Sequence, residues 1–274
     1  MKKRGDCMRT KIIVDNVTKT FSVRDNGKKG SLKEFTAIHN MEFSVNEGEF
    51  LTIVGPSGCG KSTLLDLLGG LSTPTKGRIL LDGQEIKGPG LDRGTVFQQY
   101  ALFPWKTARG NIEFGLEAKG IPKREWRAQT DHYLDLVGLK DFADRYPHEL
   151  SGGMKQRVAI ARSLAFNPDV LLMDEPFAAL DAQTRETLQS ELLRIWEKTK
   201  KTIIFITHGI DEAVYLGQRV VILSSNPGRV KQIVNIPLTQ RLADADIRST
   251  PAFVKARSEV WNLLHELEYS GQYI

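Results

Sequence analysis

The segment Phe50–Leu68 constrains this chain more than any other. It reads FLTIV, then GPSGCGKST, then LLDLL. A short apolar run enters a glycine-rich turn, and the turn opens directly into a helical pattern. The loop Gly55, Pro56, Ser57, Gly58, Cys59, Gly60, Lys61, Ser62, Thr63 fits the spacing GxxxxGKS. Its glycines let several backbone N–H groups converge on one anion, and the helix N-terminus adds partial positive charge. At these positions Lys61 reaches β- and γ-phosphates, and the Ser62 hydroxyl suits Mg2+. Cys59 stands at the same helix N-terminus, where the dipole lowers a thiol's pKa, and is read as a passive small residue of the loop.

A strand feeding such a loop belongs in an α/β fold. Further aliphatic runs occur at 11–17, 78–81, 94–98, 170–173, 202–207 and 220–224. Helix-period segments alternate with them at 61–69, 123–137, 154–166, 184–200 and 210–216. The alternation predicts a parallel sheet covered on both faces. Between Tyr100 and Ala165 no convincing strand is found, so a helical subdomain is expected inside the core. The expected division is an α/β core over 11–98 and 166–240, helices over 99–165, and a helical tail over 241–274. In the tail, Thr250-Pro251 starts an amphipathic helix with Phe253, Ala256, Val260, Leu264 and Leu267 on one face. That face packs on the chain itself or meets a membrane surface or partner.

Composition adds limits rather than direction. The 274 residues carry 38 Lys and Arg against 33 Asp and Glu, a net charge of +5 too small to select a partner. No apolar run approaches the ~20 residues of a membrane helix, and no signal-peptide pattern follows Met1. The two cysteines, Cys7 and Cys59, cannot build a metal cluster and fit a reducing compartment. Nucleic-acid binding would need basic residues interleaved with aromatics along one face, which the sequence lacks.

A second chemical segment is VLLMDEP, 170–176, with two carboxylates at the end of an apolar strand. Asp174 suits Mg2+, which prefers oxygen ligands and keeps several waters. Strand alternation points Glu175 the other way, free to orient or deprotonate an attacking water.

With Leu150-Ser151-Gly152-Gly153-Met154-Lys155-Gln156-Arg157 added, the chain resembles the ATPase subunit of an ATP-binding cassette (ABC) transporter over about 12–237. The resemblance implies a P-loop NTPase core, a parallel sheet with an antiparallel β portion, carrying the helical insertion. It makes Gly55–Thr63 the Walker A loop and Val170–Glu175 the Walker B strand. Gln98 matches the Q-loop glutamine that touches Mg2+ or water, with Gln99 directly behind it. Ser151, Gly152 and Gly153 match the signature that binds the γ-phosphate of ATP held by the opposite subunit. Asp181 matches the D-loop, His208 the switch histidine at the γ-phosphate, and Phe21 the adenine-stacking aromatic, with Phe35 as its substitute.

The implied cofactors are ATP and Mg2+. The implied partners are a second copy, transmembrane permease subunits and, indirectly, an extracytoplasmic substrate-binding protein. The place is the cytoplasmic face of the cell membrane. Met154, where Gln is usual in the family, and the segments 100–105 and 225–230 resemble the subgroup importing nitrate, taurine and alkanesulfonates. Other cargoes remain open: a pyrimidine vitamin precursor, or export. A soluble non-transport ABC protein is the less favoured alternative. Leu102, Phe103 and Trp105 are either core or a groove for a short permease helix.

Overall fold

The computed structural model describes residues 9–24, 32–225, 227–239, 241–242 and 247–270, with side chains up to Glu266. Cys7, the loop 25–31, Asn226 and the Leu267 side chain lie outside these residues.

Two sheets form. β1 (Thr10–Arg24), β2 (Leu32–Asn46), β4 (Lys76–Leu81) and β5 (Gln84–Glu85) make an antiparallel sheet in the order β2-β1-β4-β5. The second sheet has the order β10-β9-β3-β8-β7-β6. It joins β3 (Phe50–Val54), β6 (Arg93–Val96), β7 (Val170–Asp174), β8 (Thr202–Ile206), β9 (Arg219–Ser224) and β10 (Arg229–Asn235). All its pairings are parallel except β10 with β9.

The central strands are apolar throughout because both of their faces are covered. Val170, Leu172, Ile204 and Ile206 join a core with β1, β2 and α1 (Lys61–Gly69), which lies between the two sheets. Their neighbours Leu171, Met173, Ile203 and Phe205 face the opposite core. That second core is closed by α2 (Ala108–Ala118), α4 (Gly152–Ala165), α5 (Ala182–Thr199), α6 (Ile210–Leu216) and α7 (Pro251–Ser270). α3 (Lys123–Leu136) packs on α2 and α4, and no strand is found among the described residues 97–169.

β2, β5 and β10 are strands that the aliphatic runs of the sequence do not include, and α2 and the end of β6 differ as well. β2 is a full partner of β1, and its signal was the alternation Met41, Phe43, Val45, all buried. α2 forms despite Gly110 and Gly115, and Gly115 allows close packing: a Cβ there would lie 2.6 Å from the Arg162 carbonyl of α4. Finally, β6 stops at Val96, so Gln98 stands in an exposed turn rather than on a strand.

In the tail, Phe253, Ala256 and Val260 are buried against the second core, so the amphipathic face packs on the chain's own body. No helix among the described residues is long and apolar enough to cross a membrane.

Candidate active site

Parallel pairing gathers the chemistry. The phosphate loop follows β3, His208 follows β8, Asp174 ends β7 with Glu175 directly after it, and Gln98 follows β6. These are neighbouring strands in register, with Ile53 opposite Ile206, Ile206 opposite Asp174, and Met173 opposite Val96. All four segments therefore leave the sheet at the same edge, where open α/β sheets bind ligands.

The phosphate loop is shaped by close approaches. Gly60 caps α1 with φ +89°, and a Cβ there would lie 2.5 Å from Cγ2 of Ile38, so only glycine fits. From the other side Gly228 presses on the loop: a Cβ would come within 2.0 Å of the Cys59 carbonyl. Gly228 is held there by a hydrogen bond to the Ala37 carbonyl at 2.9 Å. Its role in shaping the loop is not legible in a linear motif.

Lys61 is buried, and its Nζ donates to the carbonyls of Gly55 at 2.8 Å and Pro56 at 3.1 Å. The ammonium is thereby held folded over the loop, in reach of any anion bound inside. Cys59 is a passive small residue of the loop, and the helix dipole does not activate it. Its thiol is fully buried, and that burial pushes it up, outweighing the pull of Lys61 and the nearby backbone donors. It is an inert packing residue, not an activated thiol.

Beside the loop, Asp174 is held above the usual carboxylate range by burial first, then by the charges of Glu175 and Asp66. Lys61 and the Ser62 hydroxyl pull in the opposite direction. Asp66 stands four residues after Ser62 on α1, on the same face, and belongs to no linear motif of the sequence. Asp174 beside the Ser62 hydroxyl, with the charges of Glu175 and Asp66 acting on it and Lys61 opposing them, makes an oxygen-rich site of net negative charge. That environment fits a hard divalent cation such as Mg2+, and no group of three or more metal-ligating side chains is found among the described residues. Ser62 and Asp174 would supply oxygens to Mg2+ there.

Glu175 does not simply continue the strand's alternation. Its φ is +42°, in the left-handed region, while its N–H donates to the Ile206 carbonyl at 3.0 Å. A non-glycine residue there is strained by roughly 1–3 kcal/mol. The kink brings its Oε2 to 3.1 Å from Nδ1 of His208. His208 is exposed on the turn after β8, so the pair faces open space beyond the sheet edge.

The other predicted residues serve local structure, and among the described residues no hydrogen bond joins them to this cluster. Ser151 caps α4, its Oγ accepting from the Met154 N–H at 3.3 Å. A Cβ on Gly152 would lie 3.0 Å from Leu180, and one on Gly153 would lie 2.8 Å from Thr184, so this turn rests on the start of α5. Asp181 caps α5 through Thr184, and those hydrogen bonds hold its carboxyl low. Among the described residues no hydrogen bond joins Ser151, Gly152 or Gly153 to the phosphate loop. Phe21 and Phe35 are register partners across β1 and β2, both on the surface at 39% and 49% exposed.

A phosphate loop beside a carboxylate pair and a histidine, at the carboxyl edge of a parallel sheet, defines the chain as a phosphate-loop ATPase. Within that class it belongs to the ABC transporter family, whose model matches residues 38–178. An uncharacterized ABC transporter ATP-binding protein of Methanocaldococcus jannaschii is 53% identical, over 96% of this chain and 95% of its own length. The nitrate import ATP-binding protein NrtD of Synechocystis is 50% identical, over 88% of this chain and 92% of its own. The taurine import ATP-binding protein TauB of Jannaschia is 42% identical, over 94% and 96%. Among solved structures, a dimeric ATP-binding cassette in a post-hydrolysis state with ADP and Pi is similar, with a TM-score of 0.71. It is 35% identical and covers 83% of this chain and all of that one.

Proposed function

We propose that this protein is the energy-coupling ATPase of an importer for nitrate, taurine or alkanesulfonates, working as an ATP-sandwich dimer beneath a membrane permease. The observation that carries the dimer is the separation within one chain. Lys61, Asp174, Glu175 and His208 share one sheet edge, whereas the helix N-terminus at Ser151–Gly153 is a second anion-seeking surface placed elsewhere. Two copies facing each other supply both surfaces to each nucleotide.

In this reading the loop Gly55–Thr63 holds the phosphates, and Lys61 neutralises their charge. Ser62, Gln98 and Asp174 would hold Mg2+, which would supply positive charge against that of the phosphates. Glu175 accepts a proton from the attacking water, while His208 positions the γ-phosphate and is itself oriented by Glu175. Gln98 senses the nucleotide from its turn, Asp181 borders the dimer, and Phe21 or Phe35 carries adenine. The catalytic cassette occupies 11–240, with its helical insertion at 99–165 and the tail at 241–274. A peripheral position on the cytoplasmic face and indirect action on a substrate-binding protein follow from this role. The named relatives support import and the cargo class.

Glu175→Gln separates binding from turnover. ATP hydrolysis falls by roughly 10²–10³-fold, as for loss of a general base, while MgATP drives the variant into a stable dimer. Light scattering that shows only monomer at saturating MgATP would refute the split site. For the cargo, deletion of the gene abolishes growth on taurine or an alkanesulfonate as sole sulfur source, or on nitrate as sole nitrogen source. Unimpaired growth on all three removes this cargo class.

A further inference from the structure

Beyond β10 the chain returns over α6, the short helix behind His208. Arg241 donates through Nη1 to the Leu216 carbonyl at 2.9 Å and through Nη2 to the Gly217 carbonyl at 2.6 Å, closing the C-terminal end of α6. Arg248 comes next. Its guanidinium carbon lies 4.8 Å from the centre of the Tyr215 ring, and Nη1 pairs with Glu186. Its Nη2 donates to Oε1 of Gln189 at 2.5 Å.

From Gln189 the hydrogen bonds run inward without a break. Gln189 is 3% exposed, and its Nε2 donates to Oε1 of Glu212 at 2.8 Å. The other oxygen of Glu212 accepts from the Thr207 hydroxyl. That hydroxyl accepts in turn from the Gly209 N–H at 2.9 Å. Thr207 and Gly209 flank His208, whose Nδ1 meets Glu175 at 3.1 Å. Arg248, Gln189, Glu212, Thr207, His208 and Glu175 line a single cavity of about 350 Å³.

The direction of this chain is fixed at its outer end. A buried glutamine amide can turn either way, offering its carbonyl or its NH2. An arginine can only donate, so Arg248 draws Oε1 of Gln189 outward and leaves Nε2 for Glu212. Arg248 is itself held by Glu186 and the Tyr215 ring, which leaves its planar fork little freedom. With Glu212 taking one donor from Gln189, its second oxygen is free to anchor Thr207, and Thr207 fixes the turn.

We propose that Arg248, in the tail, is a positioning residue for ATP hydrolysis: acting through Gln189 and Glu212, it sets the Thr207–Gly209 turn and so the aim of His208. This rests on the role assigned to His208 above, and the test separates the two.

Arg248→Met keeps the side-chain stem and removes the donors. The expected result is a kcat for ATP lower by roughly tenfold to a hundredfold, the scale of one lost hydrogen bond to a charged group, with KM within about twofold. The His208 ring resonances in 1H–15N spectra of the full chain shift in the same variant. Gln189→Met, which breaks the chain at its middle, reproduces both effects and decides the matter if Arg248→Met does not fold. Lys231→Gln loosens α7 from β10, where Lys231 bonds the Leu263 carbonyl, and leaves kcat unchanged. Unaltered kcat and unaltered His208 resonances in the folded Arg248 and Gln189 variants, while His208→Ala is inactive, overturn the proposal and spare the role of His208. A fully active His208→Ala removes that role, and this proposal with it.

Discussion

Glu175 and Asp174 are adjacent in sequence and opposite in circumstance. Glu175 is turned out of the strand by a left-handed backbone and placed against His208. Asp174 stays at the strand end, half-buried among Glu175, Asp66, Lys61 and Ser62. A carboxyl whose folded value is raised costs stability when charged, so the cost is present at neutral pH and vanishes as pH falls below the ordinary carboxylate value, about 4. Asp174→Asn therefore raises the nucleotide-free unfolding midpoint at pH 7, and the gain shrinks in melts at progressively lower pH. The same variant loses the extra stabilisation that Mg2+ adds to ATP. An equal gain at pH 7 and pH 4 would contradict this account. The residue identities were legible in the sequence, because GxxxxGKS and the strand-end carboxylates are local patterns. The kink at Glu175 and the contribution of Asp66 were not, since both depend on what the folded strand end meets.

The turn after β6 shows how elements brace one another. Tyr100 and Ala101 have φ of +59° and +47°, two successive non-glycine residues in the left-handed region. Each conformation costs roughly 1–2 kcal/mol. Arg162 of α4 holds both carbonyls, donating to Ala101 at 2.7 Å and Tyr100 at 3.2 Å, and it lies over the Phe103 ring. Burial lowers the pKa of this guanidinium from its ordinary value. The turn that carries Gln98 is thus tied to the helix opened by Ser151. Arg162→Gln destabilises the protein by about 1–3 kcal/mol in urea unfolding, because two bonds from a charged donor are lost. It also makes the Gln98–Ala101 turn the first site cut in limited proteolysis. An unchanged urea midpoint would show that the strain is relieved elsewhere. At this scale the long, strongly patterned helices were legible. α2 was not, because its two glycines weaken local propensity and its justification lies in the contact with α4.

For the molecule as a whole, the two cores around one sheet fix a rigid edge on which the site is built. The helical insertion presents the aromatic group Phe103, Trp105 and Phe114. Phe103 contacts Phe114 at 4.7 Å and Trp105 at 5.5 Å, and Trp105 is 70% exposed. Such a patch beside the Gln98 turn suits an apolar segment of a permease. Trp105→Ala leaves the unfolding midpoint and ATP binding essentially unchanged and weakens co-purification with the permease. Unimpaired assembly would assign the indole to another surface.

By itself the sequence determined the fold class, the phosphate loop, the carboxylate pair and the family, because each is written in short-range spacing and the alternation of apolar residues. Only the tertiary structure decided what these parts do to one another. Gly228 presses on the phosphate loop from a different strand connection, and Asp66 leans on Asp174. Arg162 holds a strained turn, and Arg248 reaches the turn of His208 from the tail. Such pairings join residues tens to hundreds of positions apart. They arise from sheet order and helix packing, which local propensity does not encode.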